Sequence, residues 1–93
     1  MKHTNIEKAH CLGMQSLRIK DIQVLLDCGT KRAVEMAAEL REWFKGEYGY
    51  ELYGKQVPTE EFVKHFRYPE KRVLRYADLE RKNADALAQQ SAS

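Results

Sequence analysis

Apolar residues recur at helical spacing over most of this chain, and the places where the spacing stops divide it into segments. Ile19, Ile22, Val24, Leu25 and Leu26 predict a short apolar helix over about Lys20 to Leu26. Asp27-Cys28-Gly29-Thr30 follows as a turn, in which Gly29 suits a left-handed or tight backbone and Thr30 suits an N-cap. The longest helix is expected from Lys31 to about Lys45, free of proline and glycine until Gly46. At about 100° per residue, Ala33, Ala37, Leu40 and Phe44 share its inner face, flanked by Met36 and Trp43. Lys31, Arg32, Glu35, Glu39 and Glu42 fall on the opposite side.

Beyond Gly46 the period changes. Tyr48 to Pro58 is rich in tyrosine and glycine with rough alternation, which predicts a small hairpin. Its strands would be Glu51–Tyr53 and Gln56–Val57, joined by a turn at Gly54-Lys55 and stopped by Pro58. Thr59 is placed to cap a third helix, with Glu60 and Glu61 in its first turn and Phe62, Val63 and Phe66 on its inner side. Pro69 marks a fresh start, and Glu70 to about Gln89 can form a fourth helix. Its stripe of Val73, Tyr76, Ala77, Ala84 and Leu87 is interrupted by Glu80 and Asn83, and its end from Gln89 to Ser93 is expected to fray. At the start, Asn5 can cap a short helix from Ile6 to Leu12 that Gly13 ends, or residues 1–15 can form a loose arm, with Met14 an alternative translation start. Three parts result: an arm or short helix over 1–15, a core unit over 16–68, and a helix with a tail over 69–93.

Ninety-three residues leave room for one core, and 43% apolar with 32% charged residues describes a folded, highly charged small protein. Sixteen basic against fourteen acidic residues leave +2, which rules out a binder of nucleic acid by bulk charge. It leaves room for a protein whose cations are placed locally. No apolar run approaches the ~20 residues that span a bilayer, and Met1 to Asn5 open no hydrophobic leader, so a cytoplasmic location with no membrane partner is expected. In such a reducing compartment Cys11 and Cys28 are expected to be free thiols.

A short helix, a tight turn, a longer helix, a small hairpin and another short helix, in that order, make a mainly α winged helix-turn-helix. In such a unit the first helix, here with Ile19, Ile22 and Leu26, braces the second so that its N-terminal residues can enter a major groove. Lys31 and Arg32 could then reach guanine or phosphate, and Glu35 could accept from cytosine. The run Ile19-Lys20-Asp21-Ile22, Leu26 to Ala33, Leu40-Arg41, Gly49-Tyr50, Gly54 to Pro58, Phe62 and Phe66 resembles small helix-turn-helix proteins of bacterial phages and integrative elements. These are excisionase-like proteins related to the winged DNA-binding domain of mercury-resistance-type regulators, and the resemblance covers about residues 16 to 68. It implies sequence-specific binding of double-stranded DNA, in transcription control or in directing a recombinase. It also implies a presented helix from Lys31 to Phe44 and a wing near Lys55. The DNA-contacting set is then Thr30, Lys31, Arg32 and Glu35 from the presented helix, Lys55 and Gln56 from the wing, and Arg18, Lys20, Lys64 and Arg67 from the flanks. Glu35, Glu39 and Glu42 depart from the pattern, since they repel phosphates as the helix leaves the groove. A recombinase or a second copy of the chain on the same DNA would compensate through effective concentration.

Other chemistries find less support in the residues. His3, His10, Cys11, Cys28 and His65 lack a paired-ligand spacing for zinc. No nucleophile–base order, phosphate loop or metal-helix motif is present, so neither an enzyme nor a cofactor is expected. Tyr48, Tyr50 and Tyr53 could stack on single-stranded bases, but tyrosines beside a short hairpin are expected to pack in the core with Trp43. Lys71, Arg72, Arg75, Arg81 and Lys82 are interleaved with acids, as on a solvated helix; the alternatives are backbone contacts from Arg72 and Arg75, or dimerisation through the Val73 stripe. The alternative for the chain as a whole is a protein-interaction adaptor or antirepressor that turns the acidic helix face toward a protein.

Overall fold

Two short strands, far apart in sequence, tie five helices into one body in the computed structural model, which describes residues 3–52 and 54–91 and the side chains of these up to residue 84. The order is α1 (Asn5–Leu12), β1 (Ser16–Leu17), α2 (Ile19–Leu26), α3 (Thr30–Tyr48), β2 (Val57–Pro58), α4 (Thr59–Phe66) and α5 (Glu70–Ser91). The architecture is mainly helical with a two-stranded antiparallel sheet. No described helix is long and apolar enough to cross a membrane.

The sheet differs from the expected hairpin. β2 pairs with β1, Leu17 opposite Val57 and Ser16 opposite Pro58, and Glu51 and Leu52 belong to no strand. Tyr53 lies outside the described residues. The reason is burial: Leu17 and Val57 are both fully buried at the centre of the core, a payoff that a local hairpin at the surface would not give. Gln15 extends the pairing by accepting from the Thr59 amide at 3.0 Å, and Ser16 Oγ donates to Gln56 Oε1 at 2.8 Å. Pro58, which has no amide to donate, sits at the strand's end.

α2 and α3 pack through Ile22 and Leu25 against Ala33, Ala37 and Leu40, all of them buried. The small Ala33 and Ala37 let the two backbones approach. Asp21 starts α2 by accepting from the Arg18 amide at 2.8 Å, and it also meets the buried Cys11 thiol at 3.8 Å. Burial first, and the Asp21 carboxylate second, push the Cys11 thiol up to about 11. The left-handed position of the turn is Asp27 (φ 50°), not Gly29, which is extended (φ −80°, ψ 173°) and serves as the N-cap of α3. Asp27 tolerates that conformation because its carboxylate is held from outside, by the His3 amide at 2.6 Å and Lys8 Nζ at 2.7 Å. Thr30 is therefore inside the helix, where its hydroxyl accepts from Gln23 Nε2 at 3.2 Å.

The predicted inner face of α3 is buried as expected. The helix runs on through Gly46, however, and stops only at Gly49, whose φ of 77° closes it with a bond to Lys45 O. Pro58 rather than Thr59 is the N-cap of α4; Thr59 is buried and its hydroxyl has no partner. Phe62 fills the centre, and Tyr68 reaches back from beyond α4 to donate to Leu25 O at 2.8 Å.

The N-terminal segment is part of this core. Thr4, not Asn5, caps α1 by accepting from the Glu7 amide at 3.1 Å, and Ala9, Cys11 and Leu12 are buried. α1 lies along α5, where Val73 and Ala77 are buried while Tyr76 and Ala84 of the predicted stripe are exposed. The side chain of Leu87 lies outside the described residues, as do Ala92 and Ser93. Glu80, which interrupts that stripe, accepts from Asn5 Nδ2 at 2.8 Å and from the Ile6 amide at 3.2 Å. It thus satisfies free amides at the start of α1, and these bonds, the Asn5 side chain first, hold its carboxyl below the usual range. A core beginning at Met14 would lack this layer.

Candidate nucleic-acid interface

The two flanks of α3 carry opposite chemistry. At about 100° per residue, Thr30, Val34, Ala38, Arg41 and Lys45 lie on one side of the buried line Ala33–Ala37–Leu40–Phe44, with Lys31 at their outer edge. Arg32 and Glu39 lie on the other side, and Glu35 and Glu42 run along the back. The contacts agree with the wheel. On the first flank Thr30 meets Gln23 of α2, and Arg41 donates to Leu52 O at 3.3 Å, Gly54 O at 2.6 Å and Gln56 O at 3.4 Å. On the second, Glu39 stands 4.0 Å from His65 of α4, and Glu35 is 3.8 Å from Arg32.

The first flank is therefore a strip without acids over the first three turns of α3; beyond them Glu42 lines a hollow with Arg41 and Lys45, and Lys45 pairs with Glu51 at 3.0 Å. Neighbouring elements lengthen it. Lys20 and Gln23 are one turn apart on α2, and Gln23 touches Thr30. A surface hollow is lined jointly by Arg18, Ile19, Lys20, Lys55 and Gln56, so the loop before β2 meets the start of α2. Arg41 fixes that loop with its planar fork, and Gly54 makes the bend at φ 83°. Lys20, Lys31 and Lys55 are exposed around the strip. The first turn of α3 carries no acid, and Gly29 offers no side chain to its free amides, so this end of the helix suits an anion.

Of the residues expected to form the site, the structure brings together Arg18, Lys20, Thr30, Lys31, Lys55 and Gln56. Arg32 is exposed on the other flank and Glu35 on the back, one turn beyond Lys31, the two paired at 3.8 Å. Lys64 and Arg67 are exposed on α4 and at its left-handed end (Arg67 φ 51°). On α3 that helix meets Trp43, 4.7 Å from the His65 ring, Glu39, and, at the far end, Tyr48, which donates to Glu61 at 2.9 Å. Arg18 is shared with Asp21 at 3.4 Å. The tyrosines also depart from expectation: Tyr48 is 40% and Tyr50 60% exposed, edging the buried Phe44 rather than filling the core.

Gln23, Val34, Ala38 and Arg41 were not picked out by the sequence. One signal was available for Val34, a β-branched residue at an outward position among the charged residues Lys31, Arg32, Glu35 and Glu39. Among the described residues no group of three His, Cys, Asp or Glu side chains is placed to hold a metal ion. No protein-family model, curated protein or solved structure matches the chain, so a function for this surface rests on its own chemistry.

Proposed function

We propose that this chain binds duplex DNA sequence-specifically, with α2, the Asp27–Gly29 turn and α3 acting as a helix-turn-helix and the Arg41-held loop as its wing. The cellular role would be transcriptional regulation, or excisionase-like direction of a recombinase, for a mobile element. One observation carries the reading: exposed lysines from three elements, Lys20, Lys31 and Lys55, border a flank of α3 from which acids are absent over its first three turns. An α-helix fits a major groove, its N-terminal residues reach base edges, and flanking cations meet the phosphates. The acids that opposed this reading in the sequence stand on the flank toward α4 or along the back.

Fluorescence anisotropy with duplexes recovered from a randomised pool tests the proposal. Wild type should prefer the recovered sequence over bulk competitor. Lys20→Ala/Lys31→Ala should lose roughly tenfold or more in affinity while keeping its fold, since both side chains are exposed. Equal, weak binding to every duplex, or an unchanged double variant, would overturn it.

The exposed Tyr48 and Tyr50 favour the second reading, an adaptor or antirepressor that meets a protein with the far end of α3. In that case Tyr50→Ala or Glu39→Lys would weaken the complex and Lys31→Ala would not.

A further inference from the structure

Val34 is 49% exposed on the cationic flank of α3, at the position one turn beyond Thr30 and between Lys31 and Ala38. The fold does not explain it. The side chain is outside the core cluster, which takes Ala33 and Ala37 from the same helix, and no aromatic ring is grouped with it as Phe44 is with Tyr48 and Tyr50. Helix propensity does not explain it either: a β-branched residue at a solvent position is a poorer helix former than the Ala, Glu and Lys around it. Ala38, also exposed, continues the apolar surface for one further turn. Lys31 stands one turn before it on α3, and Lys20 lies on α2 one turn from Gln23, which touches Thr30.

An exposed methyl pair beside a lysine has one apolar partner on a major-groove floor. The thymine C5-methyl is the apolar feature that base edges display there, while every other base presents donors and acceptors. Resting on the DNA-binding reading above, we infer that Val34 is a specificity-determining residue that packs its methyl groups on a thymine methyl. Ala38 leaves room for the base pair beside it. Lys31 and Lys20, which are point charges, set the helix against the phosphates without choosing a base. The preferred site of this protein accordingly contains thymine opposite the second turn of α3.

The test replaces each thymine of the duplex recovered by selection with deoxyuridine, which removes the methyl and leaves the pairing unchanged. Wild type should lose roughly fourfold in affinity at one or two positions, as expected for one buried methyl. Val34→Ala, a surface change that leaves the core intact, should bind the thymine duplex more weakly and show no difference between thymine and deoxyuridine there. The inference is overturned if the recovered site holds no thymine, if deoxyuridine is neutral everywhere, or if Val34→Ala keeps the full discrimination. Selection that recovers no sequence at all overturns the DNA-binding reading itself, which separates the two failures.

Discussion

Asp27 stands where the α2–α3 turn meets the N-terminal helix, and its charge decides whether that turn is held. Its carboxylate accepts from the His3 amide and from Lys8 Nζ, while its backbone occupies a left-handed conformation. The Lys8 ammonium first, and the His3 amide second, keep the carboxyl well below its ordinary 3.8. A carboxyl lowered in the folded state contributes stability that is complete above the unfolded pKa and is lost as pH falls below it. Asp27→Asn keeps a residue that tolerates the left-handed region and removes the charge. At neutral pH this variant should be less stable by about 1 kcal/mol, a value kept small by the partial exposure of the pair. Below about pH 4 the difference should narrow, and it should go on narrowing as pH falls further toward the lowered folded-state value, because only wild type loses this term. Urea midpoints over that range check it, and parallel curves for the two proteins would contradict the role given to Asp27. The sequence offered Gly29 for the left-handed site because glycine is the local choice. The partners that let an aspartate take it, His3 and Lys8, lie more than eighteen residues away and leave no local mark.

Helices were more legible than the contacts between them. The inner line of α3 and the apolar side of α2 could be read from spacing, since burial against a neighbour imposes a 3.6-residue period on any helix. The strand partner could not, because the whole α2–α3 unit lies between Leu17 and Val57 in the sequence, and pairing at that separation has no sequence period. The loop at Gly54-Lys55 was correctly read as a bend and wrongly given a local strand partner; what holds it instead is Arg41, whose loop partners lie eleven to fifteen residues further on. The consequence is testable at this scale. Arg41→Ala should speed amide exchange across the loop and β2 while α2 and α1 keep their protection, with a stability loss of about 1–2 kcal/mol for its charge-assisted bonds. Arg41→Lys retains the charge without the fork and should recover only part of the protection. Unchanged exchange in the loop of Arg41→Ala would mean that Arg41 does not fix Lys55 beside α2.

For the molecule as a whole, a net charge of +2 sets how strongly the proposed surface can hold a polyanion. The cations bordering the strip are Arg18, Lys20, Lys31 and Lys55, and Arg18 is partly engaged by Asp21. Lys45 is spent on Glu51, Lys8 on Asp27, and Arg41 on loop carbonyls. Each phosphate neutralised contributes about 0.9 to the slope of log K against log salt, so this surface should give a slope of about −3 to −4. That is shallow for a specific DNA-binding protein, and it fits a chain that needs a second copy or a recombinase beside it to occupy its site. Lys31→Ala should flatten the slope by about one, whereas Arg75→Ala, on α5 and over the Tyr76 ring at 5.4 Å, should leave it unchanged. A slope steeper than about −6 would mean that the α5 basic residues also reach the backbone and that the surface drawn here is too small. A slope near zero would place the exposed lysines against something other than phosphate and favour the aromatic end of α3 as the binding surface.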